Sequence, residues 1–206
     1  MNALVVLAKG TGLLLTAGNS WLWARVLHGH GLYVHHSCKI IGYQSIQIGS
    51  GFRAGRMFWL EALSRYGQQR FLPSLVIGNR VICGDAVHIA CTKSIVIGDD
   101  VLIGSNVHIT DHNHGRYHGD GLQSSPDEAP TTRLLEGSPV VIEEKVFLAD
   151  GVVVLPGSHI GAGTVVGANA VVSGALPART ICVGSPARPI KAYSNEASAW
   201  VDVNPG

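Results

Sequence analysis

A six-residue spacing of aliphatic side chains runs along most of this chain. The first regular block holds Ile77, Cys83, Ile97 and Ile103, and the second holds Ile142, Leu148, Val154, Ile160, Val166 and Val172. In most hexads a small or β-branched residue follows four positions after the aliphatic one. A period of six is too long for a helix turn and fits a short strand followed by a tight corner. The pattern therefore predicts a coiled all-β rod.

Three hexads are expected to close one triangular coil, and successive coils stack at about 4.8 Å, the spacing of paired strands. The aliphatic residues then form a continuous core. Glycine often follows directly, as at Gly78, Gly84, Gly98 and Gly104. We expect these glycines at corners whose backbone conformation costs other residues more. Before Ile77 the match is loose and includes bulky Phe58 and Trp59, which predicts irregular first turns.

Residues 90–96 carry two extra positions, which we interpret as a bulge or small loop at a corner, and the register is lost after Ile109 until it resumes at Ile142. The intervening segment 113–138 is polar and rich in turn residues, including Pro126 and Pro130. Loops longer than about 12–15 residues in a compact protein are usually functional or disordered. We interpret this segment as a loop that projects from the rod and covers a groove, and not as a second domain. The predicted rod domain spans residues 35–191, and residues 192–206 form a tail.

Residues 1–34 form an apolar segment that we expect to be largely helical. No run in it reaches the roughly 18–20 apolar residues that a membrane span needs. A secretory signal is poorly supported because Lys9 interrupts the apolar stretch. Two alternatives stay open. The segment packs on the open end of the rod or on a neighbouring subunit, or residues 1–27 make peripheral membrane contact through Trp21, Trp23 and leucines.

The composition limits the classes of partner that the protein is expected to bind and indicates its cellular compartment. Charged residues make up only 14% of the 206, and 15 Lys and Arg nearly balance 14 Asp and Glu, so no strong field attracts nucleic acid. The four cysteines show no CxxC spacing, which favours reduced thiols and a cytoplasmic location. If the N-terminal segment binds lipid, we expect the protein at the inner face of the membrane.

Three histidines surround the break in the repeat, and His112 is the strongest candidate for chemistry. A neutral imidazole can take a proton from an alcohol near neutral pH, and an adjacent carboxylate such as Asp111 can fix its tautomer. His114 lies two residues on. His88 and His108 occupy equivalent hexad positions, so they stack if the register permits, facing either the groove or solvent. A lone histidine is more often structural, and His28, His30, His35, His36 and His159 have no comparable context.

Two stretches resemble the bacterial hexapeptide-repeat O-acetyltransferases, the family that includes galactoside, maltose and surface-polysaccharide acetyltransferases. One is residues 101–115, which end in Ile109-Thr110-Asp111-His112-Asn113-His114-Gly115. The other runs from Pro139 to Lys191 and includes Leu155-Pro156-Gly157 and Gly184-Ser185-Pro186-Ala187-Arg188. The resemblance implies a left-handed parallel β-helix, assembled as a homotrimer with acyl-CoA in the groove between two chains.

The resemblance also implies roles for individual residues. His112 would be the catalytic base, and the residues that contact the acceptor would be Asp111, His114, His88 and His108. Binding of acetyl-CoA would fall to Asp150, Gly167, Ala168, Ser173, Arg188 and Lys191, the last two near the nucleotide phosphates. Asp150 departs from the small or polar residues common at its position, so contact with the acceptor stays open as its alternative role. The acceptor would be a sugar or glycan hydroxyl, in surface-polysaccharide or glycoconjugate synthesis, and no metal is expected.

Three other functions compete with this one. The same rod hosts trimeric zinc lyases of the carbonic anhydrase type, for which His88, His108, His112 and His114 could supply ligands. Transfer to the amine of an amino sugar would use the same base and groove. A non-catalytic trimeric scaffold is the third, and it leaves His112 in its loop unexplained.

Overall fold

The computed structural model describes residues 3–117, 119 and 121–203, with side chains from residue 11 onward, so parts of both predicted terminal segments and of the predicted loop lie outside the described residues. It opens with helix α1 (Ala3–Val26), and a 3₁₀ turn spans Tyr43–Ser45. The strands, in chain order, are β1 (Tyr33–Val34), β2 (Lys39–Ile41), β3 (Ile46–Ile48), β4 (Arg53–Ala54), β5 (Trp59–Ala62), β6 (Arg65–Tyr66), β7 (Gln69–Arg70), β8 (Ser74–Ile77), β9 (Ile82–Cys83), β10 (His88–Cys91), β11 (Ser94–Ile97), β12 (Leu102–Ile103), β13 (His108–Thr110), β14 (His112–His114), β15 (Leu135–Gly137), β16 (Val140–Ile142), β17 (Phe147–Leu148), β18 (Val153–Val154), β19 (His159–Ile160), β20 (Val165–Val166), β21 (Val171–Val172), β22 (Ala175–Leu176), β23 (Thr180–Val183), β24 (Arg188–Ser194) and β25 (Ala199–Asp202).

The strands build the three walls of a prism. Sheet A runs β1-β4-β9-β12-β17-β20-β23-β24-β25, sheet B runs β2-β5-β10-β13-β18-β21, and sheet C runs β3-β8-β11-β16-β19-β22. Pairing along the walls is parallel, except that β24 and β25 add antiparallel strands to the end of sheet A. Each turn of the chain visits the three sheets in order, which is the parallel β-helix that the six-residue repeat predicts.

The core is a set of aliphatic columns, one from each sheet. On sheet B the register aligns Leu60, Ile89, Ile109, Val154 and Val172, and every one of them has no exposed surface. Each coil thus buries its inward residues on the coils above and below. The spacing of six places one such residue on every wall, so the periodicity in the sequence is the periodicity of the core.

The glycines that follow the aliphatic residues are required for a physical reason other than the expected backbone conformation. A Cβ on Gly78 would lie 2.7 Å from the backbone carbonyl carbon of Gly98, and one on Gly98 would lie 2.6 Å from the backbone nitrogen of Glu144. Their φ angles are not positive. The left-handed residues come two positions later and are often not glycine, as at Arg80 (φ 55°) and Asp100 (φ 58°). Close approach of stacked coils, and not backbone strain, selects glycine here.

The walls of the first coils pair in register, but the 3₁₀ turn Tyr43–Ser45 and the β6–β7 hairpin interrupt the six-residue spacing before Ile77, as the loose match predicts. Strands β1, β4 and β9 pair in parallel without a break. The bulky Phe52 and Phe58 are fully buried and pack edge to face, with 5.7 Å between their ring centroids. The core of the first coils therefore accommodates aromatic side chains.

Two elements lie outside the regular coils and bear on function. The hairpin of β6 and β7 projects between β5 and β8, and the segment after β13 projects at the equivalent corner two coils along, closed at its base by the antiparallel pair β14–β15. Helix α1 packs on β1 at the start of the rod. Among the described residues, none of the helices is both long and apolar enough to cross a membrane.

Candidate active site

One corner of the prism is widened where the chain passes from β10 to β11, and the reason is Asp111. The backbone N–H groups of Thr92, Lys93 and Ser94 donate to its carboxylate oxygens at 2.8, 2.7 and 2.8 Å. The hydroxyl of Thr92 and the thiol of Cys91 add donors at 3.1 and 3.4 Å. The extra residues at this corner thus form a pocket of backbone amides that holds an anion.

Asp111 has no exposed surface and is nevertheless ionised. Burial by itself would raise the pKa of Asp111, but the hydrogen bonds from His112 and from the amides of Thr92 and Lys93 outweigh burial, and the pKa falls below its ordinary value. The same burial, together with the charge of Asp111, raises the pKa of Cys91, so that thiol stays protonated and donates. A carboxylate in this state can only accept hydrogen bonds.

His112 is oriented by that carboxylate. Its Nδ1 lies 3.0 Å from Asp111 Oδ1 and 3.3 Å from the hydroxyl oxygen of Thr110. Because the carboxylate accepts, Nδ1 carries the proton and Nε2 presents a lone pair. Across the described part of the chain, no hydrogen bond is made by Nε2. The side chain is 9% exposed, so the ring is held firmly while one edge still reaches the surface.

That edge opens into a groove of about 410 Å³ along sheet B and its corner. The residues around it include Glu61, His88, His108, His112, Leu135 and Leu155. Both polar side chains and leucines line it. The groove is therefore suited to a ligand that has hydroxyl groups and an apolar portion.

His88 and His108 face this groove, which answers the question that their hexad position left open. Register places Trp59, His88 and His108 in one column on the outside of sheet B. His88 stacks on Trp59 with 4.2 Å between centroids, lies 4.9 Å from the ring of His108, and its Nε2 is 3.0 Å from Oε1 of Glu61. Burial, followed by the neighbouring imidazoles, lowers the pKa of His108, so this ring is neutral near pH 7.

His114 sits farther out and connects the projecting segment to the β6–β7 hairpin. Its Nδ1 is 3.3 Å from the hydroxyl of Tyr66, and that hydroxyl donates to the carbonyl of Thr131 at 2.9 Å. Gln69 pairs with the backbone of Leu135 in both directions, at 3.0 and 2.7 Å. The hairpin therefore supports the base of the segment after β13.

The burial of Asp111 corrects its expected role. A side chain without exposed surface, whose oxygens are filled by corner amides and His112, cannot contact an acceptor. It positions the ring of His112 instead. Sequence reasoning also missed Glu61, Thr92 and Tyr66. Their signal was weak because Glu61 and Tyr66 fall where the repeat matches loosely, and Thr92 lies in the insertion at the corner.

The residues expected to bind acetyl-CoA do not meet His112 within one chain. Asp150, Gly167 and Ala168 lie at corners between sheets A and B, whereas the corner after β13 joins B to C. Ser173 is exposed and lies at the corner between sheets B and C, as the segment after β13 does. Oδ1 of Asp150 accepts from the Ser105 amide at 2.7 Å, which makes it a link between stacked corners.

The two predicted phosphate contacts differ in availability. Both lie on β24, beyond the last regular coil. Arg188 is exposed and donates from Nη1 to the carbonyl of Ala187 at 2.8 Å, and it makes no ion pair within the described ranges. Lys191 donates from Nζ to Asp202 at 2.6 Å. Arg188 is the better fit for a phosphate, since a fork of donors remains on its guanidinium.

Metal chemistry needs converging ligands. Within the residues that the structure describes, no three His, Cys, Asp or Glu side chains are grouped as a metal site. His88 and His112 each direct one ring nitrogen to a carboxylate of their own chain.

Comparison with known proteins places this arrangement in a family. Residues 139–174 match the family model described as bacterial transferase hexapeptide (six repeats). Over 179 residues the chain is 39% identical to WbbJ of Escherichia coli strain K12, whose provisional name is lipopolysaccharide biosynthesis O-acetyl transferase, and the match covers 87% of this chain and 88% of WbbJ. The chain belongs to the hexapeptide-repeat transferases and is an acyltransferase.

Two solved structures share the fold. One is AntD, an N-acyltransferase from Bacillus cereus solved with dTDP and coenzyme A, at a TM-score of 0.65, 20% identity and coverage of 82% of this chain and 84% of AntD. The other is a hexapeptide-repeat acetyltransferase from Vibrio cholerae solved with acetyl coenzyme A, at a TM-score of 0.59, 23% identity and coverage of 91% and 86%. Together with the three parallel walls, these likenesses confirm the expected left-handed parallel β-helix.

Proposed function

We propose that this protein transfers an acetyl group from acetyl-CoA to a hydroxyl group of a sugar or glycan, in the synthesis of a surface polysaccharide or glycoconjugate. The observation that carries the proposal is the pair Asp111 and His112, in which a buried carboxylate fixes a histidine so that its Nε2 lone pair faces the groove. Such a base needs an acidic hydrogen on the acceptor, and a hydroxyl supplies one.

The transfer follows from that geometry. His112 Nε2 accepts the proton of the acceptor hydroxyl as its oxygen attacks the thioester carbonyl. The carbon–sulfur bond breaks, and the proton passes from Nε2 to the departing thiolate. The Asp111 charge stabilises the imidazolium between these two steps, because it lies 3.0 Å from Nδ1 and has no exposed surface. No acyl-enzyme is required.

The polar column beside the base suits a sugar. His88, held by Glu61, and the neutral ring of His108 offer hydrogen-bonding groups along the groove, and Trp59 adds an aromatic surface. His114 and Tyr66 border the outer end. The name of WbbJ, which refers to lipopolysaccharide biosynthesis, supports a glycan acceptor, since the match covers most of both chains.

The acetyl-CoA groove would be completed by a second chain of a homotrimer. Asp150, Gly167 and Ala168 lie on a different corner from His112, so a neighbouring prism would bring its own copies to the groove. Half-buried Gly167 and exposed Ala168 leave the backbone of that corner accessible to the pantetheine arm, exposed Ser173 lies on the B–C corner column, and Arg188 offers donors to phosphate. The acetyl-CoA of the Vibrio cholerae structure supports this co-substrate.

Replacement of the base tests the proposal. We expect His112→Ala to reduce acetyl transfer by about 10²–10⁴, the usual value of a general base, while assembly and CoA binding persist. Thiol release from acetyl-CoA, measured against a panel of sugars and nucleotide sugars, gives the rate and the acceptor together. Loss of the acetyl group in mild alkali then identifies an ester, whereas an amide would survive.

The chain offers a matched control in His159. It also pairs with a carboxylate, with Nε2 2.8 Å from Glu143 Oε1, but it lies on sheet C away from the groove. His159→Ala should keep the wild-type rate. If His112→Ala retained more than a tenth of that rate, this base would have to be abandoned.

A further inference from the structure

Helix α1 is attached to the rod in an unusual way, through its polar residues. Thr16 Oγ1 lies 3.0 Å from Nδ1 of His36, Asn19 donates to the carbonyl of Val34 at 3.1 Å, and Ser20 Oγ accepts from the amide of Val34 at 2.9 Å. A surface helix normally buries its apolar stripe and exposes its polar face. Here the hydrogen-bonding stripe is the one that faces the protein.

The opposite side of the helix is apolar and uncovered. We call this surface the cap face, and it consists of Leu13, Leu14, Leu15, Trp21 and Leu22, which are 70%, 75%, 59%, 61% and 49% exposed. Nothing in the described part of the chain packs over these side chains. A contiguous group of large apolar residues on a surface indicates a binding site for a protein or a membrane.

The charge distribution favours one of these partners. The first 60 residues, which form α1 and the first coils, contain five Lys and Arg and no Asp or Glu, whereas the remaining 146 contain ten and fourteen. Arg25 lies on the cap face itself, 4.8 Å above the ring of Trp21. This end of the rod is therefore positive, and two copies meeting through their cap faces would repel each other. An anionic bilayer would instead attract it.

We propose that the cap face is a membrane-binding surface that lies in the interface of an anionic bilayer. Trp21 and the leucines would enter the boundary of the acyl chains, while Arg25 and the other cations of this end meet the lipid phosphates. The helix would lie flat, since its polar stripe remains on the rod.

The position of the cap has a consequence for the groove. Lys39, Trp59, His88 and His108 form one column, so three strand steps separate the first coil from the coil that precedes His112. Three steps of the inter-strand spacing are about 14 Å. A glycan attached to a lipid in the same bilayer would be within reach. This last point rests on the proposed function, whereas membrane binding does not.

Sedimentation with lipid vesicles tests the inference on the full chain. We expect the protein to pellet with vesicles of phosphatidylcholine that contain roughly one-third phosphatidylglycerol, and much less with vesicles of phosphatidylcholine alone. Each cation that engages the anionic lipid should strengthen vesicle binding about fivefold. High salt should weaken the binding. Wild-type protein that stays in the supernatant with the anionic vesicles would overturn the proposal, whatever its acetyltransferase activity.

A pair of double variants locates the surface. Leu14→Glu with Trp21→Glu places two charges on the cap face and should reduce vesicle binding at least tenfold. Leu72→Glu with Leu122→Glu makes the same change in charge at leucines that are 96% and 94% exposed elsewhere, and it should bind as wild type does. Circular dichroism confirms that α1 persists.

Equal binding of the two double variants would place the membrane contact elsewhere and contradict the proposal. If instead the cap variant formed a smaller assembly than wild type in lipid-free sedimentation, the cap face would be a subunit interface. Lipid composition and salt dependence of the wild-type protein decide the matter even if a variant fails to fold.

Discussion

At the scale of single residues, the cost of burying a charge explains the shape of the site. An unpaired carboxylate in the interior is strongly unfavourable, so a buried one must be surrounded by donors. Asp111 has three consecutive amides, a hydroxyl, a thiol and an imidazole around it. This network of hydrogen bonds restricts the position of the Asp111 carboxylate, and the carboxylate in turn restricts the position of the His112 ring.

His108 provides a pH test at the same scale. Burial lowers its pKa in the folded state, whereas the unfolded chain has a value of about 6.5. The unfolded state then binds more protons than the folded state below that pH, so stability falls as the pH decreases through this interval. We expect His108→Gln to remove this loss, which has a slope of at most about 1.4 kcal/mol per pH unit.

Urea unfolding of both proteins at about pH 7.5, 6.5 and 5.5 measures the effect, because these values bracket the unfolded pKa. The difference in unfolding free energy between variant and wild type should shift in favour of the variant as the pH falls. Two parallel curves would mean that His108 does not titrate differently in the folded protein.

At the scale of elements, the β6–β7 hairpin acts as a support for the segment after β13. Gln69 alone makes two hydrogen bonds to the backbone of Leu135, at the point where the chain returns to the rod. A hydrogen bond contributes about 0.5–1.5 kcal/mol net. Two such bonds are enough to decide how often the base of a surface segment opens.

Gln69→Ala should therefore increase proteolytic cleavage within residues 115–134 by about fivefold or more, since local opening controls cutting. The KM for the acceptor should rise with it. Gln47→Ala removes the same side chain from an exposed position on β3 and should change neither quantity. Unchanged cleavage in Gln69→Ala would show that the hairpin does not support the segment.

Much of the fold could be predicted at this scale, because each hexad repeats the same local packing problem. The step from Val154 to Val172 on sheet B follows from spacing alone, because it is three hexads. The first coils could not be placed in register from the sequence, since the β6–β7 hairpin and the 3₁₀ turn interrupt the spacing there. His112 was found through its position at the break, whereas Glu61 and Tyr66 became visible only when parallel register brought distant coils together.

At the scale of the whole molecule, the separation of corners predicts that active sites form between subunits. His112 and Ala168 lie on different edges of one prism, so a groove between two prisms would take one residue from each. Ala168 is exposed, and a large side chain there should obstruct the pantetheine channel without disturbing the core. Each of His112→Ala and Ala168→Trp should therefore be inactive alone.

Mixing the two variants distinguishes a shared site from one within a single chain. After unfolding and joint refolding at equal amounts, about one quarter of the sites in random trimers would combine an intact His112 with an intact Ala168, and activity should return to that extent. Each variant refolded alone provides the baseline. Mixed trimers without recovered activity would place both residues in a site of one chain.

The antiparallel closure of β14 and β15 separates the site into two parts with different freedom to change. Asp111 and the amides that hold it lie on the rod side of this closure, and residues 115–134 lie beyond it. An exchange or a change in length of the outer segment would leave the base and the register of the coils in place. Under the proposed function, acceptor preference would therefore change by replacement of one surface segment on an unaltered prism.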